Sequence, residues 1–316
     1  MLNFLEIENF RCFEQFKIEG LAQVNLFGGL NNSGKTALLE AFALATNPHD
    51  FLHQSAFINI RNLKESLRDS KENLLYKFDT KRTISLKTNL FSQKFDINYI
   101  DLAIQGSVPN LQFKFIYINA KMQSVPTALN LPISFDEAEH KERKTQMLAF
   151  LQCIDAKIID ARTFATKAQS IYLRRSVEER WFPMENLGDA AQKVLNYALN
   201  IYSLGDDAAT EKVLIIDEIE NGLHYTVQQN FWEQLFNLAK QFNIQIFAAT
   251  HSIEMIKAYL NTVKKLGETA ISNSCFWQIY RHFKTQQIVA RPYDTERLDY
   301  AFDKIVLETA LNFRGE

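Results

Sequence analysis

The chain has 316 residues, of which 47% are hydrophobic, and a formal net charge of −2. This length provides one large or two small domains with a sizeable core, and the near-neutral charge argues against a nucleic-acid footprint over the whole surface. Apolar residues occur in short runs, so we expect no membrane-embedded part. The N-terminus carries acids early and no basic n-region, and Cys12, Cys153 and Cys275 lack C-x-x-C spacing. We therefore expect a cytoplasmic protein with reduced thiols and no secretory signal.

In the first half of the chain, the hydrophobic pattern predicts strands, one buried helix and a further group of strands. Residues 1–27 alternate apolar and polar positions, which predicts two or three strands of a β-rich lobe. Residues 36–45 are almost wholly apolar and predict a buried helix, which Asn47-Pro48 ends. Helical spacing returns over 60–79, and the segments TISLKT, FDINYIDLAI and LQFKFIYIN within 82–121 predict strands.

In the middle of the chain the pattern predicts helices again. Residues 136–154 read as one helix with a charged first half, and 156–161 read as a strand. A second buried helix is predicted over 189–202. We expect the short segment 203–212, SLGDDAATEK, to be disordered.

Residues 29–36, GLNNSGKT, fit the pattern G-x-x-x-x-G-K-[ST] and lie between an apolar run, residues 24–27, and the first predicted helix. In this pattern the glycines let the backbone curl so that successive N–H groups point at a triphosphate. Lys35 would reach the terminal phosphates and the Thr36 hydroxyl would ligate Mg²⁺, while the helix offers its positive N-terminus. The strand-before and helix-after context favours this reading over a chance glycine turn before a lysine.

A second element, VLIIDE at 213–218, is an apolar strand that ends in two carboxylates. Asp217 is placed to hold a nucleotide-bound Mg²⁺, and Glu218 is placed to polarise an attacking water. Lys35 and Asp217 are 217 − 35 = 182 positions apart, so a whole subdomain must be inserted between them. The insert contains no long heptad run, which argues against coiled-coil arms.

After the acidic strand, apolar residues at three- and four-residue steps predict an amphipathic helix over 227–242. The strand IQIFAAT at 244–250 follows, with Ser252 as the N-cap of the next helix. His251 would therefore lie at the carboxyl end of a buried strand, where ligands bind in sheets of this kind. A lone histidine is more often structural, but beside the two preceding motifs we expect His251 to contact the γ-phosphate or the water.

Taken together, GLNNSGKT, LGDAAQKVL, VLIIDEIENGLHY and FAATHS resemble, in order and spacing, the Walker A, signature, Walker B with D-loop, and switch-histidine motifs of ABC-type ATPases. The chain resembles the bacterial AAA-type ATPases related to RecF, to chromosome-structuring (SMC) proteins and to overcoming-lysogenisation-defect (OLD) proteins. The opening FLEIENFRCF and the tail ERLDYAFDKIVLETALNFR resemble the two ends of that branch, so the match covers essentially the whole chain.

The resemblance implies an α/β P-loop NTPase fold, an ABC-type ATPase head with a β-rich N-terminal lobe and an inserted helical and β subdomain. A single domain would span 1–316, with the insert at approximately 50–185 and the signature, Walker B and switch half at 186–316.

The resemblance also implies roles for individual residues. Thr36 and Asp217 would hold Mg²⁺, Glu218 would be the catalytic base, and His251 the switch. ATP would be sandwiched between two chains, with Gly188 and Asp189 capping the γ-phosphate of the opposite protomer. The implied ATP-binding residues are Gly29, Asn32, Ser33, Gly34, Lys35, Thr36, Ala37, Gly188 and Asp189.

Two departures from the family pattern concern the signature and the glutamine that usually links Mg²⁺ to the helical subdomain. Ala190 and Ala191 stand where a second glycine is usual, and an alanine Cβ restricts the loop, so turnover is expected to be slow. The linking glutamine has three candidates, which no local motif separates: Gln54, Gln93 and Gln105.

Four further residues are candidates with open alternatives. Arg11 is either a basic residue close to the nucleotide or an exposed arginine at a hairpin end. Glu220 and Asn221 follow Glu218 closely enough to lie at a dimer seam. For His224 we expect only a packing role.

The expected function is an ATPase that dimerises around ATP and controls a separate effector, a nuclease or toxin of an anti-phage defence system. Only about 65 residues follow His251, too few for the toprim nuclease domain that OLD-type nucleases carry. The alternatives are a RecF-like DNA-repair ATPase and an ATP-dependent scaffold that does not hydrolyse. Contact with DNA would need a local basic patch, and the clusters at 141–144 and 174–175 read instead as solvated faces of mixed charge.

Overall fold

The structure is a computed structural model that describes residues 1–46, 74–90, 95–97, 104–105, 113–118, 124–125, 131–141, 143–164, 170–178, 180–206 and 211–303. The strands are β1 (Phe4–Phe10), β2 (Phe13–Glu19), β3 (Val24–Gly28), β4 (Ile84–Thr88), β5 (Phe95–Ile97), β6 (Ile104–Gln105), β7 (Phe113–Ile118), β8 (Ser124–Val125), β9 (Ile158–Thr163), β10 (Ile171–Arg175), β11 (Phe182–Pro183), β12 (Glu211–Ile216), β13 (Ile244–Thr250), β14 (Ser274–Arg281) and β15 (Ile288–Tyr293). The helices are α1 (Lys35–Thr46), α2 (Leu131–His140), α3 (Lys144–Ile154), α4 (Asp189–Asp206), α5 (Tyr225–Phe242), α6 (Ile253–Leu266), α7 (Glu268–Ser272) and α8 (Thr295–Asp303).

The main sheet has the strand order β15-β14-β3-β13-β12-β7-β8, and its central strands are parallel. An antiparallel sheet, β2-β1-β4-β5-β6, forms the β-rich lobe, and a third sheet, β11-β10-β9, belongs to the helical lobe. This arrangement confirms the predicted α/β fold. Strands β3 and β13 are buried along their whole length and β12 is buried from Val213 onward, as expected for parallel strands covered on both faces.

Register brings three chain segments to one edge of the main sheet. Gly28 of β3 pairs with Thr250 of β13, and Ile216 of β12 pairs with Ala248 of the same strand. The segments that follow β3, β12 and β13 therefore leave the sheet side by side. These are the three segments in which the sequence predicted phosphate, metal and switch residues.

The insert between α1 and α4 is shared among the three sheets. Strands β4 to β6 extend the sheet of β1 and β2, whereas β7 pairs in parallel with β12. Helices α2 and α3 pack on α4, and strand β9 packs on α2 and α3. The domain boundaries near residues 50 and 185 stay predictions.

One predicted helix is two helices. The segment 136–154 is divided between α2, which begins earlier, at Leu131, and α3. Arg143 has φ −99° and ψ 8°, and its N–H donates to the Ala138 carbonyl at 3.0 Å, which turns the chain. Pro132 at the start of α2 was a usable signal, since proline is favoured in the first turn of a helix.

The predicted disorder over 203–212 was wrong at both ends. Helix α4 continues to Asp206 and β12 begins at Glu211, while residues 207–210 lie outside the described part. Tyr202 and Leu204 are buried, so packing keeps the last turn of α4 helical.

The Ser252 cap is confirmed, because its side chain accepts a hydrogen bond from the Met255 N–H. Residues 60–73 of the helix predicted over 60–79 lie outside the described residues, as do Gln54 and Gln93. The rest of that prediction was wrong, because Leu75 forms a β-bridge with Phe10 and Tyr76–Phe78 form a single 3₁₀ turn. Gln105 lies in β6, at the edge of the antiparallel sheet farthest from β2. Among the described helices, none is long and apolar enough to span a bilayer.

Candidate functional site

The loop between β3 and α1 has the backbone shape that its glycines allow. Gly29 and Gly34 have φ of +156° and +101°, values that residues with a Cβ rarely adopt. A Cβ on Gly29 would lie 2.2 Å from the Ile279 carbonyl oxygen, so strand β14 also excludes any side chain there. Lys35 Nζ donates to the carbonyls of Gly29 and Leu30 at 2.8 Å each. The curled loop and its lysine thus form a preorganised cradle for an anion.

A hydrogen bond joins the loop to the acidic strand. Thr36 Oγ1 donates to Asp217 Oδ2 at 2.8 Å, across 181 positions of sequence. Burial raises the pKa of Asp217 to about 6, with the neighbouring carboxylates adding to the rise and the Thr36 bond opposing it. Burial also lowers the pKa of Lys35. The Thr36 hydroxyl and the Asp217 carboxyl are two hard oxygen donors that lie side by side, and a nearby cation would favour the ionised carboxylate. Both features fit a bound Mg²⁺.

Glu218 occupies a strained backbone position directly after Asp217. Its φ is +50°, in the left-handed region. The turn is held by the Ile219 N–H, which donates to the Ala249 carbonyl at 3.0 Å, and by the Asn221 N–H, which donates to the Glu218 carbonyl at 2.9 Å. Left-handed backbone costs a residue with a side chain about 1 to 2 kcal/mol. The two hydrogen bonds of the turn offset this cost and keep Glu218 in place.

These segments line one cleft of about 1060 Å³. The predicted residues that the cleft brings together are Asn32, Ser33, Gly34, Lys35, Thr36, Ala37, Asp217, Glu218 and His251. Gly29 contacts the site through its carbonyl, which accepts from Lys35. The volume is in the range of small-molecule sites, and the polar groups that face it suit a charged ligand.

The cleft also contains residues that no sequence motif predicted. Cys12, Leu75 and Lys77 line it beside Arg11. The Arg11 N–H donates to the Leu74 carbonyl at 2.7 Å, which docks this later segment on the β1–β2 hairpin. Burial raises the pKa of the Cys12 thiol to about 11, so this thiol stays protonated.

Arg11 is not the exposed hairpin arginine of one alternative. Its side chain is 6% exposed, and Nε lies 2.8 Å from Oε2 of Glu40, which is 0% exposed. Glu40 is on α1, one turn after Thr36. The pair therefore ties the β-rich lobe to the helix that follows the phosphate loop.

The predicted signature lies apart from this cleft. Gly188 has φ +76° and leads into α4, which begins at Asp189; both are exposed. Neither is among the described residues that line the cleft. Ala191 is buried in the core, so its methyl group packs inward, and the expected obstruction of the loop rests on Ala190 alone.

Two residues of the turn after β12 form contacts within the chain, and their predicted place at a dimer seam stays a prediction. Glu220 bonds to His251 within the chain, with its carboxylate Oε1 2.8 Å from Nδ1, and Asn221 accepts from Lys193 at 3.1 Å. The packing role expected for His224 was wrong, because the ring is exposed and lies beside Thr226 and Tyr225.

The basic clusters are mixed-charge faces, as predicted. Lys144 pairs with Glu139 and Asp160, both at 2.9 Å. Arg175 pairs with Asp155 at 2.6 Å.

The fold and the cleft define a P-loop NTPase of the ABC-type ATPase class. Residues 1–179, more than half of the chain, match the family described as "AAA ATPase domain", and the chain belongs to this family. Residues 112–257 match a second model, "AAA domain, putative AbiEii toxin, Type IV TA system". The protein is therefore an AAA-type ATPase.

Two curated relatives are similar in sequence. An "ATP/GTP phosphatase" of Helicobacter pylori is 25% identical over 376 aligned positions, covering 96% of this chain and 98% of the relative. The "Uncharacterized protein MJECL10" of Methanocaldococcus jannaschii is 43% identical over 44 residues, covering 14% of this chain and 20% of that protein.

Two solved structures share the fold. The SMC head domain from Thermotoga maritima superposes with a TM-score of 0.52 at 12% identity, covering 93% of this chain and 99% of that one. The Smc head domain from Pyrococcus furiosus, solved with an extended coiled coil and bound to the C-terminal domain of ScpA, gives a TM-score of 0.52 at 9% identity, covering 96% and 99%.

Proposed function

We propose that the protein binds ATP with Mg²⁺ in this cleft, pairs with a second copy around the nucleotide, and hydrolyses ATP to control a separate effector protein. The observation that carries the proposal is the Thr36–Asp217 hydrogen bond at 2.8 Å. It joins the two halves of a nucleotide site that lie far apart in sequence, with Glu218 and His251 in the same cleft.

In this proposal the loop amides and Lys35 hold the phosphates, and Thr36 and Asp217 hold Mg²⁺. A Mg²⁺ ion held by these two residues would supply positive charge against the terminal phosphates. Glu218 accepts a proton from the attacking water, and His251 orients that water or the γ-phosphate. The left-handed backbone of Glu218 supports this role, because strained residues that neighbouring bonds hold in place cluster at functional sites.

Dimerisation is proposed from the position of the signature residues. Gly188 and Asp189 are exposed at the N-terminus of α4 and lie outside the described lining of the cleft. A helix N-terminus offers free N–H groups and a positive dipole end to an anion. In the proposed pair, this terminus reaches the γ-phosphate that the other copy holds.

Control of an effector is the part of the proposal that rests on relatives. The description of the second matching family names the AbiEii toxin and a type IV toxin–antitoxin system. The Helicobacter relative is named an ATP/GTP phosphatase. We propose that ATP-driven joining and separation of two chains restrains or licenses a nuclease or toxin in anti-phage defence, as in the OLD-related branch that the sequence resembles.

The test measures phosphate release and association together. We expect Mg²⁺-dependent phosphate release by the wild type, a loss of about a hundredfold or more in Glu218→Gln, and loss of nucleotide binding in Lys35→Ala. Sedimentation velocity should show an ATP-dependent dimer that accumulates in Glu218→Gln. Lys257→Ala removes an exposed lysine on α6 and serves as the matched control.

Other outcomes would select another function. Equal phosphate release by wild type and Glu218→Gln would remove Glu218 from the mechanism. Tight ATP-dependent dimerisation without any release would favour the scaffold. Salt-sensitive, ATP-dependent DNA binding would favour the RecF-like reading.

A further inference from the structure

His251 is held by a carboxylate other than the predicted catalytic one. Its Nδ1 lies 2.8 Å from Oε1 of Glu220, and the same oxygen accepts the His251 backbone N–H at 2.9 Å. Among the described contacts, no hydrogen bond or ion pair joins His251 to Glu218. The histidine is therefore oriented by the second acid of the turn after β12.

The two contacts hold both the backbone and the ring of His251. Its side chain is 48% exposed and that of Glu220 only 11%, so the ring reaches from a buried anchor toward the cleft that it lines. A carboxylate accepts hydrogen bonds and cannot donate them. The proton of the neutral ring is consequently placed on Nδ1, which leaves Nε2 as an acceptor for water.

The turn that contains Glu220 is hydrogen-bonded to helix α4. Lys193 on α4 donates to Asn221, the residue after Glu220, at 3.1 Å. A Cβ on Gly222 would lie 2.4 Å from Lys193 Nζ, so the lysine lies directly over this turn. The turn thus lies between the helix that begins at the signature and the histidine of the cleft.

We propose that Glu220 is a positioning residue for ATP hydrolysis, which holds His251 in the Nδ1–H tautomer with Nε2 available to accept a hydrogen bond from the attacking water. This inference rests on the proposed function, because it assigns a partner to a residue which that function uses. Glu220 acts through His251 and does not contact the nucleotide. Its role is the one that a carboxylate has behind a catalytic or metal-binding histidine, where it fixes the tautomer and the ring orientation.

The test reads the tautomer directly, by ¹⁵N NMR of histidine-labelled protein at pH 8. The signal of His251, one of 6 histidines, is identified by its absence in His251→Gln. We expect a protonated Nδ1 and an unprotonated Nε2 in the wild type, the same tautomer in Glu220→Gln, whose amide oxygen still accepts, and a shift toward Nε2–H in Glu220→Ala.

Kinetics provide the second readout. Glu220→Ala should lower kcat by about ten- to a hundredfold and leave KM for ATP within about twofold, while Glu220→Gln recovers part of the loss. Asn221→Ala cuts the neighbouring tie to Lys193 without touching His251, and it is expected to keep the Nδ1–H tautomer.

Two results would overturn the inference. One is an unchanged His251 tautomer in Glu220→Ala; the other is loss of the Nδ1–H tautomer in Asn221→Ala to the same extent, which would make the effect general loosening of the turn. The NMR readout needs no turnover. A wild type that releases no phosphate would therefore contradict the proposed function while the tautomer still tests the role of Glu220.

Discussion

Asp217→Asn should stabilise the unliganded protein although it damages the proposed metal site. Asp217 is 7% exposed, and its pKa is raised from an ordinary 3.8 to about 6. Ionisation of this carboxyl at neutral pH therefore costs folding free energy. An asparagine has nearly the same shape and still accepts from Thr36, but it carries no charge.

The magnitude follows from the size of the pKa shift. A rise from 3.8 to about 6 is about two pH units, and each unit corresponds to roughly 1.4 kcal/mol. The stabilisation by the bound proton is complete below pH 3.8 and is lost as pH rises through about 6. Asp217→Asn should thus be up to about 3 kcal/mol more stable than the wild type at pH 8, and the gain should vanish near pH 4.

The assay is urea unfolding in EDTA without nucleotide, at half-unit steps from pH 4 to 8, followed by the fluorescence of the buried Trp232 and Trp277. Glu268→Gln, at an exposed carboxyl, is the control and should show no comparable gain. Thr36→Val removes the donor that lowers the pKa of Asp217. The Thr36→Val protein should therefore lose stability at a higher pH than the wild type does. An Asp217→Asn protein no more stable than the wild type at pH 8 would refute the reasoning.

Three further substitutions test the strain and the charges around the cleft, each by urea unfolding. Glu218→Gly should raise stability by about 1 kcal/mol at most while abolishing turnover, because glycine relieves the left-handed backbone but costs chain entropy. Arg11→Met should cost about 3 to 5 kcal/mol, since it leaves the fully buried Glu40 without the guanidinium that lies 2.8 Å away. Gly29→Ala should cost about 2 kcal/mol or more, because the new Cβ would meet the Ile279 carbonyl at 2.2 Å.

Each of these has a matched control. Glu218→Gln keeps the strained backbone and should not gain stability. Lys17→Met breaks an exposed pair with Glu19 and should cost far less than Arg11→Met, because water screens exposed ion pairs. Gly20→Ala, at φ +82° with open space around it, should cost less than Gly29→Ala. A stability gain in Glu218→Gln, or equal losses within either of the other two pairs, would contradict the corresponding explanation.

The phosphate loop and the acidic strand were predictable because their chemistry is local. The curl between β3 and α1 depends on glycines at fixed spacing, and a wholly apolar strand that ends in two acids needs no tertiary information. His251 was predictable indirectly, because it follows the apolar strand β13, and ligands bind at the carboxyl ends of strands in a parallel sheet. Parallel pairing of β12 with β13 then brings the two strand ends together.

The remaining contacts of the cleft depend on how distant segments dock. Lys77 has φ +51° within a single helical turn, and one short turn carries no periodic signal in sequence. Arg11 and Glu40 each look ordinary alone, and only packing of the β1–β2 hairpin on α1 makes them a buried pair. Glu220 was predicted to lie at a dimer seam because it follows Glu218 closely. Its contact with His251 was not predictable, because it depends on the register of two strands.

Three unfavourable features of the unliganded fold lie within four consecutive positions after β12. Asp217 is a buried carboxyl with a raised pKa, Glu218 has left-handed backbone, and Oε2 of Glu220 is buried without a hydrogen-bond partner. The strand before them is fully buried and apolar from Val213 to Ile216, so the sheet supplies the stability that holds this turn in place. A bound cation would remove the first of these costs, the ionisation of the buried Asp217 carboxyl. The free energy gained in this way contributes to ligand affinity. Selection for stability alone would favour asparagine at 217 and glycine at 218; the acids at both positions are the expected trade of stability for function.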